Sequence, residues 1–305
     1  MSVGAVLILV MWLLAIPYII YMIVDVKRHW EQSKTVKVNV KYNILVSAVS
    51  NFFDTLGIGS FAIATSAWKF KKSMPDHLIP GTLNAVFVIP MCIEGTIFIQ
   101  KVDVDPLTLA LMIGFSMVGA IVGAKVVTRL DTEKIRIGMG IALLVVAIIT
   151  LCKINGVGPF GILGTATGLT GMKLAIATLF SFLFGSFMAI GIGFYAPCMA
   201  LVLMLGMNAN IAFPIMMGAS GYMCLANGVT FIKAGKYERI SAIPMLIVGC
   251  LAVLVAAFIV TSLPLTMLTY LVCVVMIICS GTFFRDAWRA RQKHGDDSIA
   301  MTEAS

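Results

Sequence analysis

Residues 51–61 read NFFDTLGIGSF: an aspartate, Asp54, followed closely by Gly57 and Gly59, inside the apolar run 43–68. Two helix-breaking glycines in such a run interrupt any helix it forms. Inside a membrane an interruption is tolerated only where protein or a wet cavity receives the freed backbone groups. The stretch is therefore either a defect in a crossing helix or the turning point of a hairpin, and the fold hangs on which.

The surroundings are those of a membrane. The chain has 305 residues, 60% of them hydrophobic and 12% charged, with a mean hydropathy of +1.02. Apolar runs of the length needed to cross a hydrocarbon core, about 20 residues for about 30 Å, recur along it. They cover 3–24, 43–68, 78–99, 106–128, 135–152, 174–205, 212–232, 240–261 and 265–283. In the first, Val3 to Val24, positive charge (Lys27, Arg28) follows the apolar residues and does not precede them. That order is the reverse of a signal peptide's and predicts a retained span with its N-terminus outside.

Positive charge decides the hairpin question, because cytoplasmic loops carry the excess of Lys and Arg. If all nine runs cross, alternate loops hold 15 and 7 of the 22 basic residues. If 43–68 and 174–205 each enter and leave on one face, the division becomes 19 against 3. The second run also carries Gly191, Gly193 and Pro197, so both are read as broken hairpins. The net charge of +8 is thus topological and not a nucleic-acid signature.

An internal duplication follows. At an offset of 134 residues Gly57-Ile58-Gly59 aligns with Gly191-Ile192-Gly193, and Phe53 with Phe187, Phe61 with Tyr195, Ala62 with Ala196, Pro80 with Pro214. The reading is an all-α polytopic membrane protein: about seven full spans plus two broken re-entrant helical hairpins, in two inverted repeats. Residues 1–42 form the N-terminal span and cytoplasmic loop, 43–152 the first repeat, 153–173 a Gly/Thr-rich outer linker and 174–284 the second repeat. Residues 285–305 are a polar cytosolic tail, expected to be disordered in part.

A carboxylate inside a span is by default functional, and Asp54 is the first candidate; capping of the half-helix behind it is the structural alternative. Glu94, in 78–99, paired with Asp54 across a cavity would make a proton relay, its alternative being an interfacial residue. The backbones at Gly57–Gly59 and Gly191–Gly193 would present half-helix N-termini, with free N–H groups and positive dipole ends, to an anion between the repeats. Asn51, Thr55 and Ser60 in the first unit, with Ser186 and Tyr195 in the second, add small polar groups nearby. Asn84 and Asn227 are polar inside crossings, either as ligands or as interhelical hydrogen bonds. Lys125, Arg129, Lys134 and Arg136 read as a cytoplasmic anchor.

Enzymatic readings find no residue set. Gly218-Ala219-Ser220-Gly221 fits an intramembrane serine protease motif, yet His29, His77 and His294 all lie outside the predicted spans, and a nucleophilic serine needs a base within reach. No Walker motif is present. The seven cysteines lie in apolar runs without metal-ligand spacing, as packing residues or as a thiol near substrate.

NFFDTLGIGSFA (51–62), IPGTLNAVFVIP (79–90) and the small-residue span IGFSMVGAIVGAKV (113–126) resemble the TauE/SafE sulfite-exporter family, permeases built from two repeats of about four hydrophobic segments. The resemblance implies secondary transport of sulfite, organosulfonates or other small anions. Met188 stands where Asp54 would recur, so the carboxylate is not symmetric, which fits a coupling-ion site. The expectation is a non-enzymatic, proton-coupled inner-membrane transporter of a small anion, with Asp54 and Glu94 handling protons. A passive anion channel, or transport of a carboxylate free of sulfur, is the alternative. The partners are a small anionic substrate, protons and membrane lipid, with a homodimer admitted; no cofactor, metal or nucleic acid is called for.

The hairpin topology predicts that Lys72→Cys is labelled by membrane-impermeant thiol reagents from the cytoplasmic side and Asn208→Cys from the outside. Labelling of both from one face would refute the inverted arrangement.

Overall fold

The computed structural model describes residues 2–126, 132–155, 164–188 and 194–303, and among these every regular element is helical. The helices are α1 (Val3–Arg28), α2 (Trp30–Ser33), α3 (Val40–Thr55), α4 (Ser60–Lys71), α5 (Ile79–Val86), α6 (Val88–Lys101), α7 (Pro106–Val126), α8 (Thr132–Ile154), α9 (Gly171–Met188), α10 (Tyr195–Met204), α11 (Ala212–Lys233), α12 (Ala242–Ser262) and α13 (Leu265–Glu303). Among the described residues eight stretches are long and apolar enough to cross a membrane. Seven are the full spans expected from sequence; the eighth is Gly171–Met188, the first arm of the second broken run. This is a multi-pass membrane protein.

The first broken run explains itself by length. At 1.5 Å per residue, the 16 residues of α3 and 12 of α4 give arms of roughly 24 and 18 Å, short of a hydrocarbon core. The two arms pack against each other, as a hairpin requires. A further break, not expected from sequence, divides the span at 76–101 between α5 and α6 at Phe87 (φ −85°, ψ 0°). Its cause is Pro90, which has no N–H to donate and whose ring crowds the carbonyl four residues earlier.

Two seams between the halves have the same form. α3 packs on α12, and α9 packs on α7; under the 134-residue offset these pairs exchange. The α7–α9 seam is built from glycine: a Cβ at Gly119 would fall on the Phe182 carbonyl, at Gly123 on the Ser186 backbone, and at Gly185 on the Ser116 carbonyl. Small residues let two backbones approach closely, the usual basis of helix association in lipid. The α3–α12 seam is polar instead. Asn43 Nδ2 donates to Ser241 Oγ (3.0 Å) and Ser47 Oγ to the Met245 carbonyl (2.7 Å).

α1 stands outside the duplication and lies against α6, α7 and α11. Met11, Ala15, Tyr18 and Met22, spaced three or four residues apart, form its buried stripe, while Leu13, Ile16 and Ile20 are more than half exposed, as a lipid-facing side demands. Between α6 and α7, Asp105 Oδ1 caps α7 by accepting the Thr108 N–H (2.8 Å) and hydroxyl (2.7 Å), bonds that hold its carboxyl below the ordinary range. The tail departs from expectation: α13 continues as helix to Glu303. Its run of Ala, Arg, Gln and Lys after Phe284 favours helix over disorder.

Gly119→Val and Gly185→Val should each lower thermal stability in detergent by at least about 2 kcal/mol, because the intruding atom meets backbone that cannot yield. Gly114→Ala, where a Cβ has no neighbour within 4 Å, should leave the melting temperature unchanged or raise it.

Candidate functional site

The turn between α3 and α4 breaks the helix yet keeps hydrogen bonds of its own. The Gly57 N–H donates to the Asp54 carbonyl (2.7 Å) and the Ile58 N–H to the Phe53 carbonyl (3.1 Å). This is the paired closure of a helix C-terminus with glycine in the left-handed region just past the cap; Gly57 has φ +91°. Gly59 (φ +93°) then begins α4, whose first residue is Ser60. Both glycines sit at backbone angles that other residues adopt only under strain.

That turn folds the Asp54 side chain back onto the new helix. Asp54 Oδ1 accepts the Ser60 N–H at 2.5 Å, and Oδ2 accepts the Tyr195 hydroxyl at 3.2 Å. Tyr195 opens α10, so the bond joins the broken run of one half to that of the other. Glu94, on α6, lies beside Asp54, and its Oε1 accepts the Thr55 hydroxyl at 2.7 Å. Asp54 is 1% exposed and Glu94 0%. Among the described residues no Lys, Arg or His forms an ion pair with either carboxyl. The Ser60 hydroxyl and the Glu94 carboxyl lie against Asp54, and on α3 the buried Asn51 Oδ1 and Ser50 Oγ have no partner among the described residues.

Of the residues singled out in the sequence, Asn51, Asp54, Thr55, Ser60, Glu94 and Tyr195 thus come to one buried place. Gly57 is closed in by the Met199 and Met216 side chains, while the Cβ position of Gly59 is open for 4 Å around. Ser186 is engaged elsewhere: its hydroxyl is directed at the Gly119 and Phe182 carbonyls (3.0 and 2.9 Å) in the α7–α9 seam. Asn84 lies on the far side of the Phe87 break from Glu94, where its Nδ2 donates to the Pro80 carbonyl (2.9 Å) and its Oδ1 accepts from Asn227 (3.3 Å). The Asn84–Asn227 pair is an interhelical hydrogen bond. Gly191 and Gly193 lie outside the described residues, as do Arg129 and the side chains of Lys125 and Lys134.

Asn43, Ser47 and Gly249 had not been singled out. Asn43, Ser47, Asn51 and Thr55 recur every four residues and form one wholly buried polar stripe along α3; that spacing was visible in the sequence. Gly249 of α12 makes room for it, since a Cβ there would lie 2.9 Å from Asn51 Nδ2 and 3.1 Å from Ser47 Oγ. Ser220 lies beside the Tyr195 ring hydroxyl, with its own Oγ donating to the Met216 carbonyl (2.8 Å). The free thiols Cys92, Cys224 and Cys250 gather around Glu94 from α6, α11 and α12.

Chemically, the arrangement offers two neighbouring acids without a fixed counter-charge, one backbone N–H at a half-helix start, and hydroxyls from Ser, Thr and Tyr. It can hold and pass a proton, and it can donate hydrogen bonds to an oxyanion. Among the described residues no group of side chains is suited to ligate a metal ion. Compared with known proteins, residues 1–150 match the family model described as Sulfite exporter TauE/SafE. No curated protein and no solved structure matches the chain.

Thr55→Val should remove the donor to Glu94 Oε1 and lower thermal stability in detergent by about 1–3 kcal/mol, the usual penalty for a buried acceptor left without a partner. Thr55→Ser should restore most of it.

Proposed function

We propose that this chain, which belongs over residues 1–150 to the TauE/SafE sulfite exporter family, is a proton-coupled secondary transporter of a small anion, sulfite or an organosulfonate. It works in the inner membrane, with its N-terminus outside and its C-terminus cytoplasmic. Its site lies where the broken run of the first half meets that of the second.

One observation carries the reading: the buried bond from Tyr195 to Asp54, which ties the two broken runs together at an acid pair without a cation. Two like charges brought this close in a low-dielectric interior repel strongly, so a proton bound between Asp54 and Glu94 is the cheapest relief. Movement of the halves about this point would expose the proton, and an anion held by the same donors, to one side and then the other, as repeat-built transporters do. Asn51, Thr55, Ser60 and Tyr195 supply polar contacts to the anion. The open space at Gly59 lets it come close to backbone.

The test is flux in sealed liposomes holding the purified protein. An imposed pH gradient should drive sulfite to a concentration above that on the opposite side, and Asp54→Asn should abolish this uphill movement. Flux that stops when the two concentrations are equal identifies a passive anion channel. Uphill movement of carboxylates, unaffected by excess sulfite or sulfonate, would overturn the substrate assignment.

A further inference from the structure

The half-helix start that should receive the anion already has an anionic group on it. α4 offers its first N–H, that of Ser60, to Asp54 Oδ1 at 2.5 Å. The other neutral donor aimed at this place from the second half, the Tyr195 hydroxyl, is given to Oδ2 of the same carboxyl at 3.2 Å. One N–H and one O–H can each serve a single strong acceptor, so while Asp54 holds them an incoming oxyanion finds neither. Two further features mark the place as built for a ligand besides Asp54. The Ser60 hydroxyl, buried at 1% exposure, is a further neutral donor held beside the Asp54 carboxyl. The space at the Gly59 Cβ position, one residue earlier, is unfilled.

We propose that the Asp54 carboxylate is a tethered occupant of the oxyanion donors, and that substrate takes over the Ser60 N–H and Tyr195 hydroxyl only when Asp54 carries a proton. One proton then enters the site with each anion. This rests on the transporter reading and supplies its coupling device: helix capping and proton coupling are one interaction. A carboxylate and a substrate anion exclude each other from a single set of donors by geometry and by like charge, whereas a neutral carboxylic acid can turn aside and itself donate. The mutual dependence of proton and anion binding is ordinary linkage: each favours the other by the same factor.

Among the described residues few groups face Asp54. Glu94 approaches from α6, Tyr195 from α10 and Cys224 from α11; Cys92 and Cys250 stand behind Glu94. Glu94 is the competing seat for the proton, so the test must separate the two acids. Its Oε1 is served by Thr55 and takes no donor from α4, so its ionisation does not block the cradle.

The probe is methanesulfonate, which remains a monoanion from mildly acidic to mildly basic pH and so keeps substrate titration out of the result. Its binding to the detergent-purified protein is measured by calorimetry in two buffers of different ionisation enthalpy. For the wild type, affinity should fall by a factor approaching ten per pH unit on the basic limb, with about one proton taken up per anion bound. Asp54→Asn retains an oxygen to cap α4 and so preserves the helix start; it should bind independently of pH, without proton uptake, near the wild-type acid-limb affinity. Glu94→Gln should keep the wild-type slope. Tyr195→Phe, which deletes one donor, should weaken binding at every pH with the slope unchanged. A slope that survives in Asp54→Asn, or vanishes in Glu94→Gln instead, would overturn the tethered-occupant assignment. Wild-type binding with no slope would overturn it too. Failure of methanesulfonate and sulfite to bind at any pH would instead sink the anion-site reading beneath it.

Discussion

The bond from the Ser60 N–H to the Asp54 carboxylate is the constraint around which this structure is arranged. A helix interrupted inside hydrocarbon leaves N–H and C=O groups that lipid cannot satisfy, at a cost of several kcal/mol each. At residues 53–60 part of the deficit is met within the chain: the Gly57 and Ile58 N–H groups close the end of α3 on the Asp54 and Phe53 carbonyls, and the Asp54 side chain takes the first N–H of α4. The closure needs left-handed backbone at Gly57 and Gly59, hence the two glycines. It needs an acceptor on a short side chain in the last turn of α3, hence an aspartate. Burying that acceptor as an ion calls for further donors, and Tyr195 supplies one from the opposite half.

The rest of the bundle holds these pieces in register. α3 is fixed to α12 by Asn43 and Ser47, and the start of α12 is fixed by Glu238, whose carboxylate accepts the Ile240 and Ser241 N–H groups (2.6 and 2.8 Å). The loop bearing Glu238 is clamped in turn to α1: Asp25 accepts the Tyr237 hydroxyl and the Arg239 Nε, both at 2.7 Å. Higher on α1, Tyr18 donates to the Ala85 carbonyl, Trp12 to Thr96, and the α11 residue Tyr222 to the Leu7 carbonyl. α1 is thus bonded to α5, α6 and α11 at several levels, and Glu94 rides on a firmly placed element. Such bonds are worth about 1 kcal/mol each in membranes; their number and spread matter more than any one of them.

How much of this could be read from the sequence depended on the range of the interactions. The break at Gly57–Gly59 is local, and composition with charge counting located it. Asp54 was legible as a buried acid, and Tyr195 came into view through its register with Phe61. The α3–α12 seam was not legible, because Asn43 and Ser241 are 198 residues apart and neither is unusual alone; only the four-residue spacing of Asn43, Ser47, Asn51 and Thr55 hinted at a buried polar face. Ser186 passed for a site residue because it is a small polar group close in the chain to Gly191 and Gly193. Its partner turned out to be Gly119, across a seam whose glycines could as well have meant flexibility. Phe87 illustrates a third case: Pro90 announced a disturbance, but a proline inside a helix can kink it or end it, and the surrounding packing chooses.

The duplication that frames the site has not kept it symmetric, and the asymmetry has a structural cause. The 134-residue offset places Met188 opposite Asp54, Gly228 opposite Glu94 and Tyr195 opposite Phe61. Both acids belong to the first half, and the second answers with a phenol. A glutamate at 228 has no room: a Cβ there would run into the Tyr18 hydroxyl and the Asn84 carbonyl. Tyr18 belongs to α1, which has no counterpart in the other half. The helix that lies outside the repeats therefore forbids a second acid where symmetry would place one. Gly228 lies against Asn84, beyond the Phe87 break from Glu94, so the position that Tyr18 closes is removed from the acid pair, and the asymmetry at the site itself is that of Met188 against Asp54.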